Sequence, residues 1–334
     1  MNSVNKAVNE AVKAYYTTVL SQIFSPCGNF LLAGTCYGEV FVFDIAKILN
    51  PDHEIKDLKQ KSCMKFTADK DGQICSMNST DKFLIVGSYG KIIGFEWKYI
   101  INGKVPKVAW CINLPQSKHG IEVVEVNALA IGEQGKLYSG CGDNNIHVYN
   151  LEYGKLIQSL TGHSNYIHDI AYMDNKKIAS AGEDGLVYIW DCLTSKAVAN
   201  IEPHKENSLQ RPHLGKWIGC VTVDKDWLVC AGGPKPGLWH IGAMQLTTSF
   251  DVINKEIHVC KLHEEKMIVG TGDKLSQFTL QGETICSIPS SSSIIYSLIL
   301  QKNPHNLMIF AGSSADIDFC TNFHYKDQVL SCRS

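Results

Sequence analysis

One pattern dominates this 334-residue chain: an apolar run, small residues with glycine, a tight turn and a second apolar run, in that order, seven times over. Its clearest copy is IASAGEDGLVYIWD, residues 178–191, which reads as a strand, a Glu-Asp-Gly turn and a second strand rich in β-branched and aromatic residues. Three copies precede it: LLAGTCYGEVFVFD at 31, LIVGSYGKIIGFEW at 84 and LYSGCGDNNIHVYN at 137. Three follow: LVCAGGPKPGLWHI at 228, MIVGTGDKLSQFTL at 267 and MIFAGSSADIDFCT at 308. The starts lie 53, 53, 41, 50, 39 and 41 residues apart.

Short apolar strands stand before most of these hairpins, among them VNALAIG at 126, YIHDIAYM at 166 and IIYSLIL at 294. Further strands follow, such as GKLIQSL at 154. Four strands per unit at a period near ~40 residues predict the blades of a propeller, and seven units predict seven blades. A lone four-stranded sheet has two apolar faces to hide. Radial packing of blades hides both and leaves only short edges. The predicted class is all-β, with a seven-bladed propeller over 17–334 and a short N-terminal helix over 1–16. Which strand completes the last blade stays open: YKDQVLSC (325–332) serves from within it, and residues before the first blade serve equally well.

The anchor resembles the WD-repeat family. That family's tetrad of loop histidine, strand serine, turn aspartate and tryptophan falls on His163 (in TGHS), Ser180, Asp184 and Trp190. Such a buried polar chain is tolerated because each member satisfies the next. The other six units lack the full set. Phe43, Tyr149, Trp239, Phe278 and Cys320 stand at or near the tryptophan position, and Asp143 and Asp273 keep the turn carboxylate.

Three spacings exceed the period, so loops are expected at 45–63, 98–123 and 202–217. Ahead of the first unit, Val4, Ala7, Val8, Ala11, Val12 and Tyr15 follow i, i+3, i+4, i+7 spacing, an amphipathic helix of about four turns. The expected place of its stripe is the propeller's own flank; the sharper alternative presents Val4, Val8 and Val12 to a partner. In the third loop Arg211, His213, Lys216 and Trp217 are candidate partner contacts, able to stack and to pair with acidic groups or RNA bases. The competing reading has Trp217 plugging the base of the fifth blade.

A formal net charge of −2 is poor for a surface built to hold nucleic-acid phosphates. The thirteen cysteines fall singly, with no CxxC pair, and the N-terminus has no apolar signal region. Cysteine therefore reads as a small core hydrophobe in a reducing compartment. No run approaches the ~18 apolar residues of a membrane span.

No catalytic or cofactor motif stands out. Nothing matches GxxxxGK[ST] or GxSxG, no GxGxxG opens a helix, and no HExxH or cysteine pair offers zinc spacing. His147, within IHVY, reads as a satisfied strand residue, and Asp184 beside His163 reads as a tetrad member. The expectation is a chain with no catalytic residues, cofactor or metal.

A narrower resemblance, to the THO complex subunit 6 family, rests on SPCGNFLLAGTCYGEVFVF at 25, VEVNALAIG at 124, LTGHSNYIHDIA at 160, RPHLGKWIGCVTVDKDWLVCAGGP at 211 and LWHI at 238. The RPHxGKWIGC and DWLVCxGGP stretches are the specific ones, since they lie outside the tetrad. The resemblance runs from about residue 17 to the C-terminus and implies a non-catalytic scaffold subunit of a nuclear THO assembly, which couples transcription to mRNA packaging and export. It implies docking onto coiled-coil sister subunits, help in multimerisation and RNA contact mainly through other subunits. The alternative is a substrate receptor of a cullin-RING ubiquitin ligase, or another WD-repeat scaffold. For the receptor the arginine of a Trp-Asp-x-Arg motif is missing, because Trp190-Asp191 is followed by Cys192-Leu193.

Overall fold

The structure, a computed structural model, describes residues 11–50, 59–115, 123–173 and 176–333. Its strands form seven sheets, the blades of a seven-bladed β-propeller. Residues 11–16 form a short N-terminal helix. Each predicted hairpin supplies the second and third strands of one blade. These strands carry near-continuous apolar runs because both of their faces are covered, as FLLAGT (Phe30–Thr35) and LMIFAG (Leu307–Gly312) show. The fourth strands are more exposed by contrast, as in Lys196–Ile201 and Gln245–Ser249.

Contacts group the chain into two compact units. The first holds blade 1 (Val19–Phe24, Phe30–Thr35, Glu39–Asp44, Met64–Thr67), most of blade 2 and blade 7. Its core has two parts. Leu31, Phe41 and Phe43 pack with Ile309, Ile317 and Phe319; Leu32, Val40 and Val42 pack with Leu84, Phe95 and Trp97. The second unit holds blades 3 to 6. Blade 3 is Val126–Ile131, Lys136–Cys141, Asn145–Asn150 and Lys155–Thr161; blade 4 is Ile167–Met173, Lys177–Gly182, Val187–Asp191 and Lys196–Ile201. Blade 5 begins at Ile218–Asp224 and blade 6 at Val259–His263.

Pairing register repeats as faithfully as the sequence. The first residue of the hairpin motif faces the tryptophan position in six blades: Leu31 opposite Phe43, Leu137 opposite Tyr149, Ile178 opposite Trp190, Leu228 opposite Trp239, Met267 opposite Phe278 and Met308 opposite Cys320. All six partners are buried. A one-residue shift interrupts the first pairing of blades 1, 3, 4, 5 and 7 at the same point, as between Val126 and Ala128 or Ile167 and Asp169. Such bulges increase local twist.

Blade 7 completes itself. Gln328–Ser331, within YKDQVLSC, pairs antiparallel with Asp316–Cys320. Lys326 locks the strand by an ion pair with the fully buried Asp318 (2.9 Å), whose carboxylate also accepts from Ser290 and Ser291. The long spacings are not plain loops. The first carries the helix Ile45–Ile48 and a two-residue strand, Gln60–Lys61, which adds to blade 7 in parallel with Leu330 and Ser331. The second carries the helix Trp97–Ile101 and the outer strand of blade 2, Val108–Asn113. Pattern reading missed that strand because its side chains are largely exposed and lack an apolar period.

Candidate functional site

In blade 4 the loop before Ile167–Met173 delivers His163 onto the hairpin. His163 Nδ1 lies 2.9 and 3.0 Å from the two Asp184 carboxylate oxygens, and its Nε2 lies 2.7 Å from Ser180 Oγ. Trp190 Nε1 donates to the same Ser180 Oγ at 2.8 Å. The partners fix the proton positions. Trp190 can only donate and the ionised carboxylate can only accept, so Ser180 Oγ accepts from Trp190 and Nδ1–H points at Asp184. Asp184 further accepts the backbone N–H groups of Ser164 and Leu186. Burial pushes its pKa upward, but the hydrogen bond and charge of His163 and these backbone donors hold it below the usual carboxylate range. A Cβ at Gly182 would lie 2.7 Å from His163 Nδ1, so the imidazole fits because that position is glycine.

Ser180, His163 and Asp184 thus share the connectivity of a hydrolytic triad. Ser180 is 0% exposed and its oxygen already accepts from Trp190, which leaves no space for a substrate carbonyl. The arrangement fastens a loop to a hairpin.

Blade 3 solves the same task differently. Ser139, Cys141, Asp143, His147 and Tyr149 stand where blade 4 has Ser180, Gly182, Asp184, Tyr188 and Trp190. His147 reaches Asp143 from within the hairpin (Nε2 to Oδ2, 3.0 Å), while its Nδ1 lies 2.8 Å from Ser159 Oγ. Ser139 Oγ donates to the His147 carbonyl. The thiol of Cys141 donates toward the Ser139 carbonyl (3.5 Å) and lies 3.7 Å from Ser139 Oγ. Its Sγ lies within 4.8 Å of donor atoms on Asp143 and His147, and all three residues are buried. Among the described residues this is the one His/Cys/carboxylate cluster with metal-ligand proximity.

In blade 5 the turn carries no aspartate and reads Gly232-Gly233-Pro234. Arg211 takes over. Its guanidinium donates to the carbonyls of Gly232 (2.9 Å), Gly233 (2.7 Å), Pro234 (3.1 Å), Ile253 (3.3 Å) and Lys255 (2.8 Å). Only 5% of its surface is exposed, and burial pulls its pKa down to about 10, so it remains charged at neutral pH. Side chains at Gly232 or Gly233 would strike the carbonyls of Trp217 and Gly215. Arg211 therefore joins RPHLGKW to AGGP, the two stretches singled out in the sequence. This corrects its reading as a partner contact: the guanidinium is spent on carbonyls inside the chain.

The other candidates fall in different places. His213 is exposed, with Nε2 2.8 Å from Asn254 Oδ1. Trp217 is half-buried between the imidazoles of His168 and His258 (ring centroids 6.0 and 5.1 Å away), and its Nε1 donates to the Leu214 carbonyl. His168 in turn meets Glu183 at 2.8 Å. In the N-terminal helix, Val4 and Val8 lie outside the described residues. Val12 is 49% and Tyr15 76% exposed, so the described part of the stripe does not lie on the protein's flank. The helix is held by its other side, where Lys13 pairs with Glu39 (3.1 Å) and lies over the Tyr37 ring.

The WD domain, G-beta repeat family matches residues 154–191, the span that carries the complete His163–Asp184–Ser180–Trp190 chain. The THO complex subunit 6 homolog of Danio rerio is 37% identical over 324 residues, covering 96% of this chain and 99% of the relative. THO complex subunit 6 of Homo sapiens is 35% identical, covering 97% and 95%. That of Drosophila melanogaster is 32% identical, covering 96% and 90%.

Proposed function

This chain belongs to the THO complex subunit 6 family, and on that premise we propose that it is a non-catalytic scaffold subunit of a nuclear THO-type assembly. In that role it couples transcription to mRNA packaging and export through protein–protein contacts. The observation that carries this reading is the near full-length kinship, which covers 96–97% of the chain. The chemistry agrees. The best-aligned Ser-His-Asp set is sealed inside blade 4, and the buried charges at the blade ends tie loops down, so the loops meet a partner already ordered and at low entropic cost. A net charge of −2 suits protein partners, with RNA associated indirectly; the proposed partners are coiled-coil sister subunits.

Two surfaces are the proposed contacts: the stripe of Val12, Tyr15 and Tyr16 with Val4 and Val8 before it, and the third-loop surface around His213 and Trp217. The test is affinity capture of the tagged full chain from nuclear extract, with and without ribonuclease. Recovery of coiled-coil THO subunits in both conditions is expected. Recovery of a ubiquitin-ligase adaptor in their place, or loss of every partner on ribonuclease treatment, overturns the proposal.

A further inference from the structure

We propose that the blade 3 hairpin is a binding site for one zinc-class divalent ion, held by Cys141 Sγ, Asp143 carboxylate and His147 Nε2. The three ligands sit at i, i+2 and i+6 on one hairpin, Lys136–Cys141 and Asn145–Asn150. Their donor atoms already lie within 4.8 Å of one another, and His147 Nε2 is 3.0 Å from Asp143 Oδ2. Tetrahedral zinc at about 2.0 Å from N and O and about 2.3 Å from S sets its ligands ~3.3–3.6 Å apart, so closing the site takes movements of about 1 Å or less. Rotation about side-chain bonds supplies that without moving the hairpin.

Charge balance favours a dication. Cys141 as thiolate and Asp143 as carboxylate bring two negative charges into a buried volume, and a zinc-class ion cancels both. The ligand set of thiolate, imidazole and carboxylate suits zinc or cobalt and does not suit calcium or magnesium. A second shell is in place. His147 Nδ1 is 2.8 Å from Ser159 Oγ, and with metal on Nε2 the imidazole proton moves to Nδ1 and is donated to that oxygen. The Asp143 turn is pinned by the Asn145 backbone N–H and by Asn145 Nδ2 on the Asp143 carbonyl. Blade 4 makes the contrast. Glycine stands there at the Cys141 position, the histidine comes from a loop, and two donors fill the serine oxygen and the imidazole. Blade 3 exchanges that arrangement for a thiol, and its Tyr149 hydroxyl is buried with no hydrogen-bond partner.

Binding is written as M²⁺ + Cys141–SH + His147–Nε2–H···⁻O–Asp143 giving the complex and one H⁺. The thiol proton leaves to solvent, and the imidazole proton shifts from Nε2 to Nδ1.

The test is titration of the purified, chelator-free, reduced full chain with Co²⁺ and Zn²⁺. Expected are one Co²⁺ per chain, tetrahedral d–d absorption with a thiolate-to-cobalt charge-transfer band, displacement by Zn²⁺ and a higher melting temperature with metal. Cys141→Gly and His147→Gln lose affinity by about 100-fold or more. Cys141→Gly puts in blade 3 the residue that blade 4 has at that position, and folding of both variants is read by circular dichroism before titration. Cys27→Ser, at an exposed thiol, binds as the parent does. Absence of the charge-transfer band in the parent chain overturns the proposal on its own, as does undiminished binding by folded Cys141→Gly. Neither outcome bears on membership of the scaffold assembly, which affinity capture reads separately.

Discussion

His147 lies 3.0 Å from Asp143 across four residues of one hairpin, whereas in the next blade His163 meets Asp184 across twenty-one. The same need is met by two routes. A turn carboxylate buried at the end of a blade requires a donor, and the imidazole arrives from a strand in one case and from a loop in the other. In blade 5 the roles invert, with a buried cation, Arg211, collecting carbonyls in place of a carboxylate collecting donors.

Removing the blade 4 carboxylate exposes this dependence. Asp184→Ala leaves His163 Nδ1–H and the Ser164 and Leu186 N–H groups without their acceptor, and lowers unfolding stability by roughly 1–3 kcal/mol. Equilibrium denaturation in urea at pH 7 measures it. Stability equal to the parent would mean that the tetrad carries no weight in this fold.

The same carboxylate gives a pH signature. Its folded pKa lies below the unfolded value of about 4, so the unfolded chain binds more protons as acid is added. The contribution is complete above pH ~4 and disappears as pH falls through the lower folded value. Asp143, depressed by its His147 hydrogen bond against the upward push of burial, behaves alike. The stability gap between the parent and Asp184→Asn, followed by urea unfolding from pH 6 to 3, therefore narrows below pH 4. A gap that stays constant to pH 3 contradicts the depressed pKa.

Arg211 is expected to be the most sensitive charged position of the third loop. Arg211→Met leaves five carbonyls short of a donor and costs about 3 kcal/mol or more, and Arg211→Lys recovers little of it because one ammonium cannot span acceptors on both sides. Hydrogen exchange rises at residues 232–236 and 251–256 ahead of the rest of the chain. Uniform protection in Arg211→Met would show that the loops hold each other without it.

The N-terminal helix separates folding from assembly. Val12 is half exposed, so Val12→Asp, alone or with Val8→Asp, leaves the melting temperature within about 1–2 °C of the parent and weakens capture of coiled-coil partners. A large fall in melting temperature would place the stripe inside the protein's own core. Lys13→Ala removes the Glu39 pair, a surface contact of at most about 1 kcal/mol, and serves as the control.

The chain's own letters determined the blades. Hairpin pairing is short-range and repeats at a fixed period, so seven starts, the residues at or near the tryptophan position and the kinship carried by RPHLGKWIGC and DWLVCAGGP were all legible without coordinates. The partners of buried polar groups were not. Arg211 and the carbonyls it serves are 21 to 44 residues apart, and a charged residue in a polar loop carries no periodic mark of burial. Likewise IHVY gave no hint that His147 turns toward Asp143 and Cys141, nor 45–63 that Gln60 and Lys61 join the last blade. Only tertiary structure decided these, because satisfying a donor or acceptor away from water depends on which distant segments the closed fold brings within 3 Å, and sequence spacing does not encode that distance.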